Sequence, residues 1–214
     1  MRVTENVNLH DFYTVLKERH SVRAYDPSVK ISKEEMTEML ELASSAPSSS
    51  NLQPWRFLVI DDPSLKEKLL PIANNQQQVV DAAAVVAVLG DLKSYEQADA
   101  IYSKAVEAGY MDEPTKSSFV ERLQTMYGGL KPEILHQVNV LDAGLISMQF
   151  MLVAKAKGYD TIPMGGYDAV KFAEAFNLPE TLKPILLIAV GKAAKPAHST
   201  VRLPIGQITH WNAI

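Results

Sequence analysis

The 214 residues of this chain are enough for one domain with a substantial core. With 47% apolar residues and a formal charge of −4, it is neither disordered nor wrapped in a basic field that would attract nucleic acid. It has no cysteine, which excludes disulfides, a cysteine nucleophile and cysteine-ligated zinc or iron–sulfur clusters.

The first twelve residues hold no apolar run of signal-peptide length, so the expectation is a soluble, cytoplasmic protein without a membrane segment. Asn8 can cap a first helix, in which Leu9, Phe12, Tyr13 and Leu16 fall on one face and which ends near Arg19. Ser32 and Glu35 form a capping box that opens a second helix. Met36, Met39, Leu40 and Ala43 are its inner residues, and Pro47 stops it. Residues 55–60 read as a strand, and Asp61-Asp62-Pro63 turns into a helix through Leu70. After a polar stretch from Asn74 to Gln78, residues 82–89 form a strand apolar on both faces, which places it inside a covered sheet.

Two less apolar helices, 93–108 and 114–126, read as a peripheral insertion or lid. Pro132 begins a long helix that ends at the left-handed terminator Gly158. Its apolar residues cover most of its circumference, which predicts burial against a partner subunit. Residues 162–168 read as a loop in which Asp168 caps a short helix to Phe176. Residues 185–190 are the third strong strand, and an irregular tail follows Lys192. Helices outnumber strands and alternate with them only in part, so the fold class is α+β in a single domain.

Two segments carry chemistry. Arg19-His20-Ser21-Val22-Arg23 sets two guanidinium forks and a hydroxyl within five residues, a set suited to a phosphate dianion. Taken alone, an arginine pair reads as surface ion pairing; Ser21 and the distant Arg202 raise the phosphate reading above that. Pro47-Ser48-Ser49-Ser50-Asn51-Leu52-Gln53-Pro54-Trp55 offers short polar side chains to a flat polar ligand, although such a composition is also that of an ordinary loop. The five histidines are scattered and suggest no metal set. Gly165-Gly166 lacks the spacing of a phosphate loop or a dinucleotide fingerprint.

With these two segments, Pro163-Met164-Gly165-Gly166-Tyr167-Asp168 and His198-Ser199-Thr200-Val201-Arg202-Leu203-Pro204 complete four motifs, in an order that resembles the nitroreductase family of FMN-dependent flavoproteins from end to end. The resemblance implies an α+β fold with a mixed or antiparallel sheet flanked by helices, in a domain-swapped homodimer with two FMN sites at the subunit interface. It implies that Arg19, His20, Ser21 and Arg23 hold the ribityl phosphate and part of the ring, with Arg202 as a second phosphate arginine. Pro47, Ser48, Ser49 and Asn51 would serve the flavin of the other subunit. Pro163, Met164, Gly165 and Gly166 would lie on one flavin face, and Asn75 and Gln78 at its pyrimidine edge. Residues 92–129 would be the variable insertion that shapes the substrate pocket, and 192–214 a tail reaching the partner.

The chain departs from some relatives at Thr200 and Gln78, where they carry lysine, and its Met164-Gly165-Gly166 loop lacks their acidic residue. The implied activity is ping-pong transfer from NAD(P)H through FMN to a nitroaromatic, quinone or similar electrophile, with no catalytic side chain required. A second reading keeps the cofactor without turnover, as a flavin sensor, carrier or flavin-handling factor.

Overall fold

The computed structural model describes residues 12–214; Asn8, Leu9 and His10 lie outside the described residues. Helices α1 (Phe12–Glu18) and α2 (Lys33–Ala43) lead to strand β1 (Trp55–Ile60), helices α3 (Pro63–Ile72) and α4 (Gln78–Asp81), and strand β2 (Ala84–Asp91). Helices α5 (Ala98–Glu107) and α6 (Glu113–Gly128) form a hairpin ahead of the long α7 (Pro132–Ala156). Strand β3 (Asp160–Met164), helix α8 (Ala169–Ala175) and strand β4 (Leu182–Gly191) complete the order. The four strands make one antiparallel sheet in the order β1-β2-β4-β3.

The sheet is covered on both faces, as the apolar central strands require. Val85, Ala87 and Leu89 of β2 pack with Leu69 and Ile72 of α3, Val79 of α4 and Phe172 of α8. Their alternates, Ala84, Val86 and Val88, pack with Met36 and Met39 of α2 and with Ile146 and Phe150 of α7. Period-two alternation thus feeds two cores from one strand. Helix α7 sits close to the sheet at Gly90, where an added Cβ would lie 2.8 Å from both Asn139 Cβ and Ile185 Cδ1. A third, smaller core belongs to the α5–α6 hairpin, where Ala98, Val120, Leu123 and Tyr127 enclose Leu52.

Several expectations are corrected. Residues 162–164, expected to be loop, belong to the edge strand β3, paired with β4 from Asp160↔Gly191 to Met164↔Leu187. Pro163 suits an edge, where a missing N–H breaks no inner ladder. Helix α2 ends at Ala43, short of Pro47. Half of the capping box forms: Ser32 Oγ accepts from Glu35 N at 3.1 Å, while the Glu35 carboxylate accepts from Tyr159 Oη at 2.8 Å. The stripe on α1 is inverted, with Phe12, Tyr13 and Leu16 exposed and Val15 buried. Within one chain, one face of helix α7 lies on the sheet, while Ile134, Val140, Leu141, Leu145 and Met148 remain exposed on the part for which burial against a partner subunit is expected. By length and composition α7 could cross a membrane. Its buried face, however, carries Asn139, Asp142 and Ser147 and packs on the sheet as a core helix does.

Candidate functional site

Two separate clusters gather the residues singled out by sequence. The first lies along the β3 edge. Ser21 bridges to Thr161, and Val22 N donates to Thr161 O at 3.1 Å. Just beyond, Asp26 N donates to Lys192 O and Ala194 N to Ala24 O, both at 2.9 Å. The 19–26 segment therefore straps β3 and the end of β4. Buried Val22 and Tyr25 anchor this strap, which leaves Arg23 exposed and Arg19 half-buried. Neither arginine forms an ion pair among the described residues. His20 Nδ1 lies 2.9 Å from Glu18 O.

The polar stretch 74–78 is tied to the residues that follow β3. Asn74 Nδ2 and Gln76 Nε2 both donate to Gly166 O, at 2.9 and 3.0 Å. Gln78 is buried; its Nε2 donates to Gln76 Oε1 at 2.9 Å and touches Met164 Sδ at 3.5 Å. Asn74 and Asn75 both take left-handed φ values of 54°, a conformation asparagine tolerates better than most residues. Asp168 ends the ledge as expected, with its Oδ1 accepting from Lys171 N at 3.0 Å. That N–H and the Lys171 ammonium hold its carboxyl below the usual range. The Tyr167 ring is drawn into the core, and burial pushes its hydroxyl up to about 12.

The second cluster sits before β1, at the opposite edge of the sheet. Strands β2 and β4 lie between the two outer strands that the clusters adjoin. Ser48 Oγ accepts from Gln53 N at 3.0 Å. Ser49 donates its N–H (3.0 and 3.1 Å) and its hydroxyl (3.0 Å) to the Asp142 carboxylate on α7. Asp142 is 1% exposed, and burial raises its pKa against the opposing pull of those donors. Ser50, Asn51 and Gln53 all have left-handed φ, between 47° and 49°. Pro47 and Asn51 are exposed.

Sequence reading missed Asp142, Asn74, Gln76, Tyr102 and Tyr127. The available signal was a lone acid inside an apolar helix. Arg202 is brought to neither cluster: it is exposed, and its guanidinium donates only to Val201 O at 2.9 Å. The tail around it carries exposed Val201, Leu203, Ile205, Ile208 and Trp211.

The residues along the β3 edge fit FMN. Arginines with no ion pair among the described residues stand beside Ser21 and match a phosphate, and an added Cβ at Gly165 would meet nothing within 4 Å, which leaves a bare ledge for a flat ring.

Comparison with known proteins agrees. The family model described as the nitroreductase family matches residues 16–192. YdgI of Bacillus subtilis (strain 168), whose name is that of an NAD(P)H nitroreductase, is 49% identical over 207 residues, covering 96% of this chain and 99% of YdgI. The CLA biosynthesis enone reductase of Lactiplantibacillus plantarum is 34% identical over 200 residues, covering 92% of each chain. A structure from Exiguobacterium sibiricum 255-15, solved in complex with FMN, is 46% identical with a TM-score of 0.91, covering 98% of this chain and 100% of that one.

Proposed function

This chain belongs to the nitroreductase family, and from that premise we propose how it works. It is an FMN-dependent oxidoreductase that takes electrons from NAD(P)H. The observation that carries this reading is the pair of arginines, with no ion pair among the described residues, beside the bare glycine ledge on the β3 edge. Arg19, Ser21 and Arg23 hold the phosphate, and His20 flanks the ring. Pro163 to Gly166 form the surface under one flavin face, fixed by the Asn74 and Gln76 amides on Gly166 O. Asn75 and Gln78 line the pyrimidine edge. Bound FMN supplies two-electron chemistry at its N5 nitrogen; the protein holds it, excludes water from one face and leaves the other open for stacking.

The site is shared between two copies. Pro47, Ser48, Ser49 and Asn51 of one subunit complete the flavin site of the other, and the apolar tail carries Arg202 across. The separation of the two clusters and the exposed apolar residues of α1, α7 and the tail support a homodimer with this exchange. The whole chain acts as one domain, with residues 92–129 shaping the acceptor pocket. A nicotinamide nucleotide donor also supports a cytoplasmic location. Acceptors are nitroaromatics, quinones or other electrophiles, and the enone reductase relative adds α,β-unsaturated ketones to the set to be tested. The names of the relatives favour turnover over passive flavin carriage.

Steady-state kinetics on FMN-loaded protein, varying NADH or NADPH against menadione, a nitroaromatic and an enone, test this reading. Parallel double-reciprocal lines are expected. Intersecting lines, or no turnover with any acceptor, would reject it.

A further inference from the structure

The α5–α6 hairpin is built apart from the two sheet cores, yet it reaches into the 48–53 loop. Leu52, 2% exposed, is enclosed by the hairpin's own apolar residues. Tyr102 Oη on α5 donates to Ser50 O at 2.9 Å, and Tyr127 Oη on α6 lies 3.1 Å from Ser50 Oγ. The tyrosine rings pack within the hairpin, Tyr102 edge-on to Phe119 with centroids 4.9 Å apart. One residue earlier, Ser49 is fixed to Asp142 on α7, which belongs to the main core. Adjacent loop residues are thus held by two different bodies, and between those anchors the backbone takes left-handed values at Ser50 and Asn51. A serine in that region is disfavoured and persists where its surroundings fix it.

We propose that Tyr102 and Tyr127 are positioning residues through which the α5–α6 hairpin sets the shape of the flavin-lining loop, with Asp142 as the fixed anchor on its other side. An acceptor that moves the hairpin then alters the environment of the flavin as well as the pocket mouth. This inference rests on the FMN reading above. It differs from a packing role because the hydroxyls can be removed while both rings stay in place.

The test uses full-length Tyr102→Phe, Tyr127→Phe and the double variant, with Ser50→Ala for a double-mutant cycle. FMN affinity by flavin fluorescence, the visible flavin spectrum, and kcat and KM for one acceptor are measured. Each lost hydrogen bond weakens FMN binding about 2- to 12-fold. The double variant also shifts the flavin spectrum, and Tyr127→Phe has no further effect on FMN affinity in the Ser50→Ala background. Variants that melt earlier as apo-protein but keep wild-type FMN affinity and spectrum overturn the inference. So does an undiminished Tyr127→Phe effect on FMN affinity in the Ser50→Ala background. A wild-type protein that takes up no FMN overturns the proposed function as well, which separates the two failures.

Discussion

Replacing Leu141 with glutamate tests the proposed shared site through the proposed dimer. Leu141 is 63% exposed on α7, in a row with Leu145 and Met148. Fully burying a leucine contributes about 1.5–3 kcal/mol, so covering what remains exposed is worth about 1–2 kcal/mol per subunit. In the proposed dimer two copies would meet in a symmetric interface, which makes about 2–4 kcal/mol per dimer. Glutamate loses that term and sets a carboxylate against an apolar face, which adds an unpaired charge in each copy. A loss of about 4 kcal/mol weakens association about a thousandfold. Sedimentation velocity at micromolar protein should show wild type and Leu141→Met as dimers and Leu141→Glu as monomers. If the flavin site is completed across the interface, the ratio of bound FMN to protein should fall with the dimer. A Leu141→Glu variant that stays dimeric refutes the interface, and one that is monomeric with full FMN refutes the shared site.

If the tail carries Arg202 to the flavin phosphate as proposed, Arg202→Ala should weaken FMN retention by about 1.5–3 kcal/mol, roughly ten- to a hundredfold in Kd by equilibrium dialysis; unchanged affinity would detach the tail from the site. Asp142 has a raised pKa in the folded protein, so its stabilising contribution is complete below the unfolded carboxylate value of about 3.9 and is lost as pH rises through the folded one. The melting temperature of wild type relative to Asp142→Asn should therefore fall as pH rises above the unfolded carboxylate value and level off above the folded one in a thermal-shift series, and a rising difference contradicts the assignment. Gly90→Ala should destabilise the fold by about 1–3 kcal/mol in urea, since its Cβ would meet Asn139 Cβ and Ile185 Cδ1 at 2.8 Å; wild-type stability would mean that α7 can move away from the sheet at little cost.

Much of the fold was legible because local signals and tertiary context agree. The continuous apolar run of β2 and the Pro132 and Gly158 boundaries of α7 each follow from a side-chain pattern or a backbone restriction. Strand β3 was not legible, because Pro163 and the following glycines mimic a loop while an edge position tolerates them. The outward stripe of α1 failed for a different reason: periodicity finds an apolar face but not whether that face meets its own core or another chain. At the candidate site, the arginine–serine set could be proposed from residue type, whereas Gly165 and Gly166 entered only through the family resemblance. The amide clamp of Asn74 and Gln76 on Gly166, and the Asp142 anchor of Ser49, join residues about 90 positions apart and depend on how the sheet closes.

This protein accepts electrons from a nicotinamide nucleotide onto bound FMN. Anaerobic addition of NADH and of NADPH to the flavin-loaded protein tests it most directly. Prompt bleaching of the yellow flavin by at least one of them, and its return on adding menadione, is the predicted result. Flavin that stays yellow with both nucleotides, or purified protein that is colourless and takes up no added FMN, would contradict it.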